Sequence, residues 1–170
     1  IRALLASSPK DKNKVYLAAI PGVDLARIYD RWGARLLEQN VRVFLQARSN
    51  VNKGIKRTLE NEPELFFSFN NGITATAESV TTESGEDGLL IDRLENLQIV
   101  NGGQTTASVY AAYKAGKSLD RVFVQMKLSV VSPEEALELV PRISEYANSQ
   151  NKVSSADFFA NHPYHVRIEE

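Results

Sequence analysis

The sequence predicts an α+β domain with a small mixed sheet and packed helices, and three observations predict it. A strand, a polar glycine loop and a helix follow one another across residues 96–115. Two further segments, Ile73–Ala77 and Arg121–Val131, alternate apolar and polar residues as strands do. Amphipathic stretches near residues 24–38 and after Ser132 have helical spacing.

Taken in order, Leu25, Ile28, Tyr29, Trp32 and Leu36 recur at the helical period, with Asp24 as the expected N-cap. Arg27, Arg31 and Arg35 stand four apart and so share one helix face, while Tyr29 and Trp32 are expected to face the core. Val41, Phe44 and Leu45 continue the apolar pattern until Arg48-Ser49-Asn50 breaks it. A short helix with Val51, Ile55 and Leu59 on one side carries Lys53, Lys56 and Arg57 on the other. Glu62-Pro63 ends it, because proline disfavours the α region for its predecessor.

Leu65-Phe66-Phe67-Ser68-Phe69 is expected to form a strand, and Asn70-Asn71-Gly72 a hairpin turn into Ile73–Ala77. Thr81 to Gly88 is polar and acidic and predicts an exposed loop. Leu97–Val100 reads as a buried interior strand, and Ala107–Ala115 as a helix stopped by Gly116. Ser132-Pro133-Glu134-Glu135 combines an N-cap serine, proline at the first helical position and glutamate three residues after the cap. Ala136, Leu139, Val140, Ile143 and Ala147 give that helix its apolar stripe, and Ser154 or Ser155 opens a last helix with Phe158 and Phe159. This predicts a helical, basic portion over residues 1–64 and an α/β core over 65–170.

Composition excludes several classes. Hydrophobic residues at 43% and charged residues at 24% are ordinary for a globular domain. No apolar run is long enough for a membrane helix, so no membrane association is expected. Cysteine is absent, which rules out disulfides and thiolate metal sites and suits a reducing, cytoplasmic compartment. The chain opens at Ile1 and stops at Glu169-Glu170 in helical sequence, which predicts a fragment of a longer protein whose remaining domains are its first partners. Net charge is −1, but residues 24–58 hold eight basic and three acidic residues, whereas 59–100 hold one and nine. Such asymmetry marks either a nucleic-acid face or two ordinary solvated faces.

The segment from 101 to 106 is the main candidate site. Glycines between a strand and a helix let backbone N–H groups approach an anion, and the helix N-terminus adds partial positive charge. Gln104, Thr105 and Thr106 add side-chain donors beside Asn101, Gly102 and Gly103. The alternative is a tight turn and nothing more, since a Walker lysine and dinucleotide-fingerprint spacing are both missing.

Three separated motifs carry a resemblance. Asn70-Asn71-Gly72-Ile73-Thr74, Ile99-Val100-Asn101-Gly102-Gly103-Gln104-Thr105, and Tyr146-Ala147-Asn148-Ser149-Gln150-Asn151-Lys152-Val153-Ser154 with Asp157-Phe158 resemble the AIPR family. These are the abortive-infection phage-resistance proteins of bacteria, so the resemblance implies antiphage defence without supplying an activity. The order of elements is also similar to ParB and sulfiredoxin-like folds, which implies a ParB-like core after the helical basic segment. On that mapping Asn101, Gly102, Gly103 and Gln104 form a phosphate loop, with Asn148, Gln150 and Asn151 in a following loop near the nucleotide. Thr105 stands where those folds have arginine, so Arg35, Arg42 or Arg93 would have to replace it.

The leading function is therefore binding of a nucleotide or of nucleic-acid phosphate, with a nucleotide and Mg²⁺ as the implied ligand. Asn70 and Asn71 amides at a strand end fit the same role. A metal-dependent nuclease or NTPase is the second reading, for which Asp92, Gln125 and Lys127 are the nearest constellation. No catalytic residue is assigned. His162 and His165 lack a third ligand with convincing spacing, so no metal site is expected. The third reading is a phage-sensing interaction domain without a small ligand.

Overall fold

The computed structural model describes residues 1–8, 10–37, 53–86 and 88–149. Its centre is a seven-stranded mixed sheet. β1 (Arg2–Leu5), β2 (Val15–Pro21), β3 (Ile73–Ala77), β4 (Ser79–Gly85), β5 (Gly88–Glu95), β6 (Gln98–Asn101) and β7 (Phe123–Val130) lie in the order β4-β5-β1-β2-β7-β3-β6. All named pairs are antiparallel except β3 with β7. The helices are α1 (Gly22–Trp32), α2 (Lys53–Asn61), the short α3 (Phe66–Phe69), α4 (Gly103–Lys114) and α5 (Pro133–Ser149). None of them is long and apolar enough to cross a membrane.

The core follows from strand periodicity. Tyr16, Ala18 and Ile20 of β2 face Leu128, Met126 and Val124 of β7 directly across the ladder, and all six are buried. All five residues of β3 are buried, so this strand is covered on both faces. α1 packs on α4, α2 also packs on α4, and α5 lies against β6 and β3.

Several expectations are corrected. Residues 2–21 form two strands, β2 lying mid-sheet beside β7, so the stretch 1–64 is not helical throughout. The first helix spans Gly22–Trp32, with Pro21 at its N-cap and Asp24 in its first turn. It gives way to a 3₁₀ turn after Gly33, whose φ of 54° breaks the α conformation. Leu65–Phe69 is helical, because Pro63 nucleates a 3₁₀ turn and only Phe66 enters the core while Phe67 and Phe69 stay exposed. Residues 81–88 are not a loop: Thr81 and Thr82 lie in a β4–β5 hairpin that pairs Gly85 with Gly88. β6 lies at the edge of the sheet, yet Ile99 and Val100 are fully buried, Ile99 bridging in parallel to Leu37. α4 begins four residues earlier than periodicity indicated, at Gly103. Trp32, expected in the core, is 51% exposed. Val41, Phe44, Leu45, the segment from Ser154 onward, His162 and His165 lie outside the described residues.

Candidate functional site

The site is the junction where β6 becomes α4. β6 is held by β3, Thr74 standing opposite Asn101. Gly102 then adopts φ 93°, a left-handed conformation that turns the chain directly into the helix. A Cβ at Gly102 would lie 2.6 Å from the Gly72 carbonyl oxygen, and one at Gly72, itself at φ 73°, would lie 2.2 Å from the Gln125 carbonyl oxygen. The glycines of the two motifs are thus required by each other: three backbones stack from β7 through Gly72 to Gly102.

The asparagines tie the same junction together. The Asn70 carboxamide oxygen accepts from the Gly72 N–H at 2.8 Å and from the Thr105 hydroxyl at 3.1 Å. Asn70-Asn71-Gly72 is therefore a side-chain-closed turn leading from α3 into β3, not the turn of a hairpin. The Asn101 amide donates to the Ala147 carbonyl at 3.0 Å and to Asn148 Oδ1 at 2.8 Å. The Asn148 amide donates to the Ser144 carbonyl at 2.7 Å, and the buried Ser144 hydroxyl donates to the Val100 carbonyl at 3.3 Å. This chain of bonds fixes the end of α5 against β6.

Of the predicted residues, Asn70, Gly72, Asn101, Gly102, Gly103, Thr105, Thr106 and Asn148 meet at this junction. Thr106 turns inward, its hydroxyl donating to the Gly102 carbonyl at 3.2 Å. Asn71 is exposed and Gln104 half-buried. Gln150 and Asn151 lie outside the described residues. Among the described residues no side chain caps α4, and geometry leaves the N–H groups of its first turn without intrahelical partners. A cavity of about 290 Å³ adjoins Asn70, walled by Gly54, Ile55 and Thr58 of α2 and by Phe66 and Phe69. Lys53, Lys56 and Arg57 are exposed on that same helix.

Other candidates are not brought together. Arg35 and Arg93 line a different groove, along with Gln98 at the far end of β6, roughly 10 Å from Asn101 at the strand rise, so neither replaces an arginine at position 105. Arg42 lies outside the described residues. Asp92 on β5 is three strand spacings, about 14 Å, from Gln125 and Lys127 on β7. Among the described residues, no three carboxylates or histidines gather as metal ligands would. Sequence reasoning missed the packing of α2 on α4, since Lys53, Lys56 and Arg57 signalled charge but not position.

These features define an α+β domain whose strand-to-helix junction is built from asparagine- and glycine-rich segments far apart in sequence. The family model described as AIPR protein matches residues 37–170, and the chain belongs to the AIPR family. The family is one of abortive-infection, antiphage defence proteins. No curated protein and no solved structure matches the chain.

Proposed function

We propose that the chain is a nucleotide- or nucleic-acid-phosphate-binding module of a cytoplasmic antiphage protein, with the phosphate at the start of α4. The observation that carries this reading is the convergence of three asparagine-rich segments on one helix N-terminus that no described side chain caps. First-turn N–H groups of Gly103, Gln104 and Thr105 offer an anion both donors and the positive end of the helix dipole. Gln104 and Asn71 flank that point with amide groups free of the ties that occupy Asn70 and Asn101. α2 supplies the positive charge that an arginine at position 105 provides in similar loops, and Mg²⁺ would accompany a bound triphosphate through phosphate oxygens. Gln150 and Asn151 join the proposal through the third family motif.

The test is a thermal-shift series of the chain against nucleotides, with and without Mg²⁺. A ligand at about 100 times its Kd stabilises the native state by roughly 2.7 kcal/mol, which moves the transition measurably. Gln104→Ala is expected to cost about 1 kcal/mol of binding, the net worth of one neutral hydrogen bond. A variant with Lys53, Lys56 and Arg57 all changed to Gln should keep its fold and lose salt-sensitive affinity. Full affinity in both variants would contradict the proposal.

A second reading, a protein-interaction surface, has one observation in its favour. Leu4 and Leu17 stand opposite each other on β1 and β2, 64% and 41% exposed, on a face of the sheet that no described element covers.

A further inference from the structure

Away from the α4 junction, a groove of about 820 Å³ runs between the end of α1 and the β5–β6 corner. Its wall from α1 and the following turn carries Arg31, Trp32 and Arg35, and its opposite wall carries Arg93, Asn96 and Gln98. Trp32 is 51% exposed, and the Arg31 guanidinium lies 5.3 Å from its ring centroid. An indole is costly to leave in water, because it holds one of the largest apolar surfaces of any side chain. Here a cation stands beside the half-exposed ring. Arg31 and Arg35 have no carboxylate partner among the described residues, whereas Arg93 pairs with Glu95 at 3.0 Å.

We propose that this groove binds single-stranded nucleic acid, a base stacking on Trp32 while adjacent phosphates meet Arg31, Arg35 and Arg93. Aromatic side chains that stack bases, set in a cationic groove that follows the backbone, are how proteins hold single strands without reading sequence. The volume is that of a ligand site, within the usual 300–1,000 Å³. Ile28, Leu36 and Leu94 give the groove apolar sides for a base, and the Asn96 and Gln98 amides suit base edges. A duplex would hide its base faces from Trp32, so the strand must be unpaired. Among the described lining residues Asp92 is the one carboxylate, set against Arg31, Arg35 and an Arg93 that already pairs with Glu95. The inference is independent of the phosphate site at α4, which lies at the other end of β6.

Trp32 is the sole tryptophan of the chain, so its fluorescence reports on the groove alone. Titration with an oligothymidylate 12-mer should quench that emission to saturation. The logarithm of affinity should fall with the logarithm of salt at a slope of about −2, as three phosphate contacts on a single strand require. With a dye-labelled 12-mer followed by anisotropy, Trp32→Ala and the Arg31→Gln/Arg35→Gln double variant should each lose about tenfold in affinity or more. All three positions are exposed, and an unchanged melting temperature will show that the fold is intact. Asp92→Asn should tighten binding. Absence of quenching, wild-type affinity in both groove variants, equal binding of a blunt duplex, or preference for an acidic polypeptide over the 12-mer would each overturn the proposal.

Discussion

Gly102 shows why the glycine-rich motif exists before any ligand is considered. Its left-handed backbone strains any L side chain by about 1–3 kcal/mol, and a Cβ would also press on the Gly72 carbonyl oxygen. Gly116, at φ 71°, has nothing within 4 Å of a Cβ, so only the backbone term applies there. Urea denaturation of Gly102→Ala should therefore show a loss of more than about 2 kcal/mol, and Gly116→Ala a loss of about 1 kcal/mol. Equal losses would mean that the Gly72–Gly102 contact is relieved without effort. The same contact removes Gly102 as a clean probe of ligand binding and leaves Gln104 and the α2 cations for that purpose.

At the scale of elements, β3, β6, β7, α4 and α5 were legible because each carries its own periodic pattern or cap. The Ser132 motif is a good example: the Ser132 hydroxyl donates to the Glu135 carboxylate at 3.3 Å, and α5 begins at Pro133 as the sequence requires. The β4–β5 hairpin was hidden because β4 is polar along most of its length, while the apolar side of the pair comes from β5, whose buried Ile91 stands opposite Thr82. Leu65–Phe69 misled in the opposite way, since an aromatic run suits a strand while Pro63 sets a helical turn. The start of α5 also carries a testable charge. A hydrogen bond from Lys12 at 2.9 Å, with that ammonium's field, holds the Glu135 carboxyl below its ordinary value. A depressed carboxyl contributes stability above its unfolded pKa of about 4.3, and that contribution vanishes as pH falls through its lower folded value. Glu135→Gln should thus be less stable than wild type near pH 7, with the gap closing below pH ~4 in parallel thermal melts. A gap that persists in acid would assign the effect to packing.

For the molecule as a whole, the sheet joins chain segments that the sequence appeared to separate. β2 supplies seven paired residues to β7 and three buried side chains to the core, so residues 65–170 lack one wall of that core. A chain truncated to 65–170 should lose cooperative thermal unfolding; a sharp transition would show that the later segment folds alone. The site was legible in part for a physical reason: Asn70, Asn101 and Asn148 are polar groups that need partners, and Asn101 finds Asn148 while Asn70 finds the Thr105 hydroxyl and the Gly72 N–H. What the sequence did not reveal is the groove at Trp32, because a single aromatic at helical spacing reads as core until its surroundings are seen. The central claim, a phosphate at the start of α4, is tested most directly by amide NMR of the uniformly ¹⁵N-labelled chain during titration with Mg²⁺–ATP and with an oligonucleotide. The account predicts saturable shifts of the Gly103, Gln104 and Thr105 amides with at least one of these ligands. Binding that leaves those three amides unmoved, or no binding by either ligand, would contradict it.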